Sequence, residues 1–234
     1  MNHTITAVLL LGLSGASQTA VPTAHPAASP DIGLSTRITV DPSVNRTIFE
    51  EFIDVGIRNH IPLGIVQGSK QACSKTVSIS EENMSVQEFL TLLNRGATDY
   101  KVFLSEGVLH LYPLGHTTAN DLLNLQIEQF KFSGTFLEST MYLWTYVRGV
   151  LMPEAGSAIE SLSSPDAVRL RKFYVEHGSV EMILNQIVKQ KSLAIWVVGK
   201  QPATLKEDAR AQTFEVFGYV DDIQTILSLP CSAP

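Results

Sequence analysis

Ser85-Val86-Gln87-Glu88-Phe89-Leu90-Thr91-Leu92-Leu93 sets the frame for the rest of the chain, because its pattern returns at Ser179-Val180-Glu181-Met182-Ile183-Leu184-Asn185-Gln186-Ile187. In each copy a serine precedes apolar residues at i, i+3, i+4 and i+7: Val86, Phe89, Leu90 and Leu93, then Val180, Ile183, Leu184 and Ile187. That spacing places the apolar side chains on one face of a helix. Ser85 and Ser179 are the N-cap candidates. Glu88 stands where a capping box needs it, and Glu181 lies in a first turn, where the helix dipole favours an anion. Strand-like runs flank both helices: Thr76 to Ser80 and Tyr100 to Leu104, then Arg171 to Glu176 and Leu193 to Val198. The similar spacing predicts an internal duplication.

The expected fold class is therefore α+β. It is read as two tandem small units, each a few-stranded sheet packed by two helices, in the order strand, helix, strand, strand, helix, strand, strand. The first unit spans residues 36–113 and the second, more diverged, residues 121–222, with a tail at 223–234. Within the first unit, Arg37 to Val40 reads as a strand and Pro42 opens a helix through Ile48, Phe49, Phe52 and Val55 that ends near Asn59. Ile61 to Val66 is a strand, and Tyr100 to Tyr112 is a hairpin turning at Ser105-Glu106-Gly107. In the second unit Leu125 to Phe132 is a strand, Phe136 to Leu151 a helix, and Thr213 to Val220 the closing strand. The counterpart of the Ile61 to Val66 strand is replaced by the small, polar Pro153 to Asp166 segment.

A chain of 234 residues, 44% hydrophobic and 17% charged, can bury a substantial core. Its net charge of −6 and the lack of a long basic run argue against nucleic-acid binding. Ile5 to Leu13 is an apolar run of signal-peptide length followed by small residues, so residues 1–20 read as an export signal cleaved after Ala16 or Ala20. Residues 21–35 are rich in Ala, Ser, Pro and Thr and read as a disordered linker. No later stretch approaches about 18 uninterrupted apolar residues, so no membrane span is expected in the mature chain. The two cysteines, Cys73 and Cys231, are too few for a disulfide scaffold or a zinc site. In an oxidising compartment they can pair with each other or remain free thiols.

The order of elements resembles the short N-terminal domain shared by secretins and TonB-dependent transducers. The likeness is carried by Arg37-Ile38-Thr39-Val40, Ile61-Pro62-Leu63-Gly64-Ile65, Lys75-Thr76-Val77-Ser78-Ile79-Ser80 leading into the Ser85 helix, and the Tyr100 to Tyr112 hairpin. It covers about a third of the chain directly, and residues 121–220 by way of the repeat. The resemblance implies a small α+β periplasmic module that docks other proteins or passes a signal and is not catalytic.

Motifs that would carry chemistry are scarce. Neither Gly-x-Ser-x-Gly nor His-Glu-x-x-His occurs. Gly64 to Lys70 departs from a phosphate loop in glycine spacing and in Ser and Lys order, and Asp221-Asp222 reads as a solvated strand end. His110 and His116 have no carboxylate or cysteine at ligand spacing, so no metal, cofactor or catalytic residue is expected.

Two features point instead to a partner. Arg169 and Arg171 alternate onto one side of a strand, either as a solvated face or as a site for an acidic partner or anionic head group. The helix Phe136 to Leu151 carries a core stripe of Phe136, Leu143, Val147 and Leu151, while Met141, Tyr142, Trp144 and Tyr146 extend its apolar surface round the other side. That excess packs between units or forms a partner or self-association surface, so the candidate partner residues are Met141, Tyr142, Tyr146, Arg169 and Arg171. The expected function is an exported, non-enzymatic interaction or signalling module of the bacterial envelope. The alternatives are a ligand- or glycan-binding protein using residues 153–166 as a lid, and an enzyme of unrecognised type.

Overall fold

The computed structural model describes residues 32–66, 74–97, 99–115, 122–134, 138–139, 142–143, 145–147, 172–190, 194–200 and 212–218. The export signal, most of the linker, the Pro153 to Asp166 segment, both cysteines, Met141, Arg169, Arg171, His116, Asp221 and Asp222 lie outside them. The chain is mixed α+β, as expected. Its described elements begin with β1 (Arg37–Thr39), β2 (Ser43–Thr47), α1 (Ile48–Arg58), β3 (Leu63–Val66), β4 (Thr76–Ile79) and β5 (Asn83–Ser85). Then come α2 (Val86–Gly96), β6 (Tyr100–Ser105), β7 (Val108–Pro113), β8 (Gln126–Phe132), β9 (Phe173–Ser179), α3 (Val180–Lys189), β10 (Ala194–Lys200) and β11 (Gln212–Gly218). Residues 138–139, 142–143 and 145–147 are helical.

The caps explain where the helices begin. Ser85 and Glu88 form a capping box: the Ser85 amide donates to Glu88 Oε2 at 2.7 Å and the Glu88 amide to Ser85 Oγ at 3.2 Å. Ser179 accepts from the Met182 amide at 3.1 Å, without a reciprocal partner. The α1 start departs from expectation. Pro42 does not open it; residues Ser43–Thr47 run as β2 against β4, and a second capping box, Thr47 with Glu50, begins the helix at Ile48. Side-chain oxygens at N-cap and N3 satisfy amides that the first turn leaves unpaired, which the proline cannot do. Chain order also begins earlier than expected: Ile32 is buried in the first core cluster, and the Gln87 amide donates to the Leu34 carbonyl.

Four sheets organise the described residues. Three are two-stranded and antiparallel: β1 with β5, β2 with β4, and β8 with β9. The fourth has five strands in the order β11-β10-β3-β7-β6, and it draws on both halves. Strand β3 lies parallel to β7 on one side and to β10 on the other, with Gly64 level with His110 and Trp196. The β6 and β7 strands join through a two-residue turn in which Glu106 and Gly107 both have positive φ, 53° and 76°. That geometry matches the right-handed twist of a hairpin and suits glycine at its second position.

Alternation along these strands divides the core in two. Leu63, Ile65, Leu109, Leu111, Ile195 and Val197 join the cluster built on Phe49, Phe52, Phe89 and Leu93 of α1 and α2. Val66, Val108, Ala194, Trp196 and Val198 join the cluster built on Ile183, Leu184 and Ile187 of α3, with Phe130 of β8 and Leu143 and Val147. Strands β3 and β10 are thus buried on both faces, as their continuous apolar runs require. Each cluster contains residues from both halves of the chain, so neither half closes its core alone. Phe89 and Ile183 are both fully enclosed.

Candidate functional site

The densest polar arrangement lies where α3 covers the face of β10, β3 and β7. Alternation puts His110 and Tyr112 of β7 on that face with Trp196 of β10. A helical spacing of four brings Glu181 and Asn185 of α3 onto one side to meet them. The Tyr112 hydroxyl donates to Glu181 Oε1 at 2.8 Å, and the Trp196 indole N–H donates to Asn185 Oδ1 at 2.9 Å. Two strand-to-helix bonds therefore bracket His110, whose Nδ1 lies 3.8 Å from Glu181 Oε1.

Aromatic rings close the site. Phe103 stacks on His110 with centroids 4.9 Å apart, Tyr112 meets it edge-on at 5.5 Å, and Trp196 is tilted against it at 5.6 Å. Gly64 is what lets the row form. A Cβ there would run into the Trp196 ring and come within 2.8 Å of His110 Nδ1. His110 and Trp196 are fully enclosed and Asn185 is 2% exposed.

Burial sets the electrostatics. It pushes the His110 imidazole down to about 4, with the Ser105 backbone acting weakly the other way. Burial also raises the Glu181 carboxyl, and the charge of Glu106 adds to that while the Tyr112 hydrogen bond opposes it. Tyr112 is raised by burial first and by the Glu181 charge second. A neutral imidazole in this enclosure has no open face for a substrate, so its available chemistry is to gain a proton. No group of three or more His, Cys, Asp or Glu residues among the described residues is placed to hold a metal.

The surface candidates fall elsewhere. Tyr142 is 44% exposed and rests on the rings of Phe130 at 5.5 Å and Phe132 at 6.1 Å. Tyr146 is half-buried and packs against the second core cluster, while Leu143 and Val147 are enclosed. The sequence offers His110 only as a metal ligand without partners at ligand spacing, and Glu181 only as a first-turn acid. Tyr112 and Glu181 stand 69 residues apart, and no local spacing links them. The available signal was a polar residue in an otherwise apolar strand, His110 among Val108, Leu109 and Leu111.

No helix among the described residues is long and apolar enough to cross a membrane. No family model, curated protein or solved structure matches this chain.

Proposed function

We propose that the chain is an exported, non-enzymatic interaction module of the bacterial cell envelope that binds a protein partner through the face around Tyr142. Export is supported by the apolar Ile5 to Leu13 run, and the docking role by the resemblance to the short N-terminal domain of secretins and TonB-dependent transducers. The observation that carries the reading is the position of Tyr142. Its ring is seated on Phe130 and Phe132, yet nearly half of its surface faces outward, while the adjacent Leu143 is enclosed. A rigidly backed, outward tyrosine loses little entropy on binding and supplies both apolar area and a hydroxyl, the properties of an interface anchor.

A photo-crosslinking residue at position 142, in protein made in its host, tests this. A discrete protein adduct from position 142, absent when the same residue replaces Tyr174 on β9, is the expected result. Tyr142→Ala should weaken the purified pair by about 2 kcal/mol or more if Tyr142 is a hot spot. Equal labelling at both positions, or an unchanged affinity, would contradict the assignment.

A further inference from the structure

His110 is fully enclosed, and neither ring nitrogen meets full hydrogen-bond geometry with a partner among the described residues, the Ser105 backbone being the group near enough to favour its proton. A buried polar atom left so costs about 1 to 3 kcal/mol. An apolar ring between Phe103, Tyr112 and Trp196 would fill the same space without that cost. The position is also the seam itself: β7 comes from the first half of the chain, α3 and β10 from the second, and His110 stands at 3.8 Å from the carboxylate that holds Tyr112.

We propose that His110, Glu181 and Tyr112 form an acid-released latch, in which proton uptake at His110 parts α3 from the face of β7, β3 and β10. The proton comes from solvent and settles on a ring nitrogen, placing a positive charge among three aromatic rings. The groups that face it do little to neutralise it. Glu181 on α3 is the nearest anion, but burial favours its neutral form, so the carboxylate is withdrawn as the solution becomes acid. Glu106 lies in the β6 and β7 turn and raises Glu181 further. Lys101 of β6 sits 5.2 Å from the Phe103 centroid, and Lys189, in the last turn of α3, reaches the Gly107 turn; both are cations. Strands β3 and β10 bring Gly64 and Trp196, which carry no charge, and Asn185 is neutral and already bonded.

The folded chain holds His110 neutral down to about 4, whereas an unfolded histidine takes its proton near 6.5. The unfolded chain therefore binds the proton first; stability is full above pH 6.5 and falls as pH drops towards 4. Glu181, raised in the fold, acts in the opposite direction, and the capping carboxylates Glu50 and Glu88 titrate as well. All three are present in wild type and in His110→Gln, so the difference between the two proteins reads His110 together with the effect of its replacement on the neighbouring Glu181.

The experiment uses the full chain with Trp144→Phe, so that Trp196 is the single indole reporter. Unfolding in urea is followed from pH 7.5 to 4.5 for this protein and for the same protein with His110→Gln. The folding constant of the histidine protein should fall, relative to the variant, by a factor approaching tenfold per pH unit below pH 6. An unchanged ratio across that range overturns the latch. Should His110→Gln not fold, NMR titration of the His110 ring in the histidine protein decides: a midpoint below 5 supports the proposal and one near 6.5 overturns it. Amide exchange then reads the release of α3. At pH 5, residues 180–189 should lose protection before residues 86–96, and simultaneous loss would contradict the proposal.

Discussion

The indole N–H of Trp196 donates to the Asn185 side-chain oxygen at 2.9 Å, in a place where both side chains are shut off from solvent. The bond crosses from β10 to α3 and fixes how the helix sits on the sheet. Asn185→Leu keeps the volume nearly constant but leaves the indole N–H unpaired, which should lower stability by about 1 to 3 kcal/mol. Adding Trp196→Phe removes the orphaned donor, so the double variant should be less destabilised than the sum of the singles. Urea midpoints for the four proteins check this, and strict additivity would show that the bond contributes nothing beyond packing.

Gly64 makes a second, steric prediction. A methyl group at this position meets the Trp196 ring and His110, and the strands on either side are buried on both faces and cannot move apart. Gly64→Ala should therefore cost about 2 to 3 kcal/mol through overpacking, where an ordinary strand glycine gains from the same change. Gly64→Ala combined with Trp196→Leu should recover part of the loss, measured by thermal unfolding.

The helix caps predict a graded pair. Ser85 closes a reciprocal box with Glu88, whereas Ser179 satisfies the single Met182 amide. Ser85→Ala should cost about 1 to 2 kcal/mol and Ser179→Ala nearer 1 or below. The box also has a pH signature. Hydrogen bonds from the Ser85 backbone and side chain hold the Glu88 carboxyl below its usual 4.5. Its stabilisation is present above pH 4.5 and is lost as pH falls through the depressed value, so the gap between wild type and Glu88→Gln should close on acidification.

Local chemistry was legible in the sequence and long-range pairing was not. The Ser85 and Ser179 helices, the Glu106-Gly107 hairpin and the enclosed Phe89 and Ile183 each follow from residues a few positions apart. The α1 start was legible too, in the Thr47-x-x-Glu50 box, although Pro42 five residues earlier is itself a residue that suits a helix start. The join between halves could not be read. Apolar runs such as Leu63 to Val66 and Ala194 to Val198 announce burial on both faces but carry no information on which strand lies alongside. The polar seam inherits the same blindness, because Tyr112 and Glu181 become neighbours only once β10 has paired with β3 and brought α3 over β7.

The shared sheet should make both halves one unfolding unit at neutral pH, and Phe89 and Trp196 can report on it because they sit in different core clusters. In a full chain carrying Trp144→Phe, Phe89→Ala removes a fully enclosed ring from the first cluster at a cost of about 3 to 5 kcal/mol. The measurement is the urea midpoint of Trp196 emission at pH 7.5, beside that of far-ultraviolet circular dichroism. Both midpoints should fall together in Phe89→Ala, with Trp196 reporting the full loss although it lies across the sheet. A Trp196 transition left in place while the dichroism transition splits would contradict it.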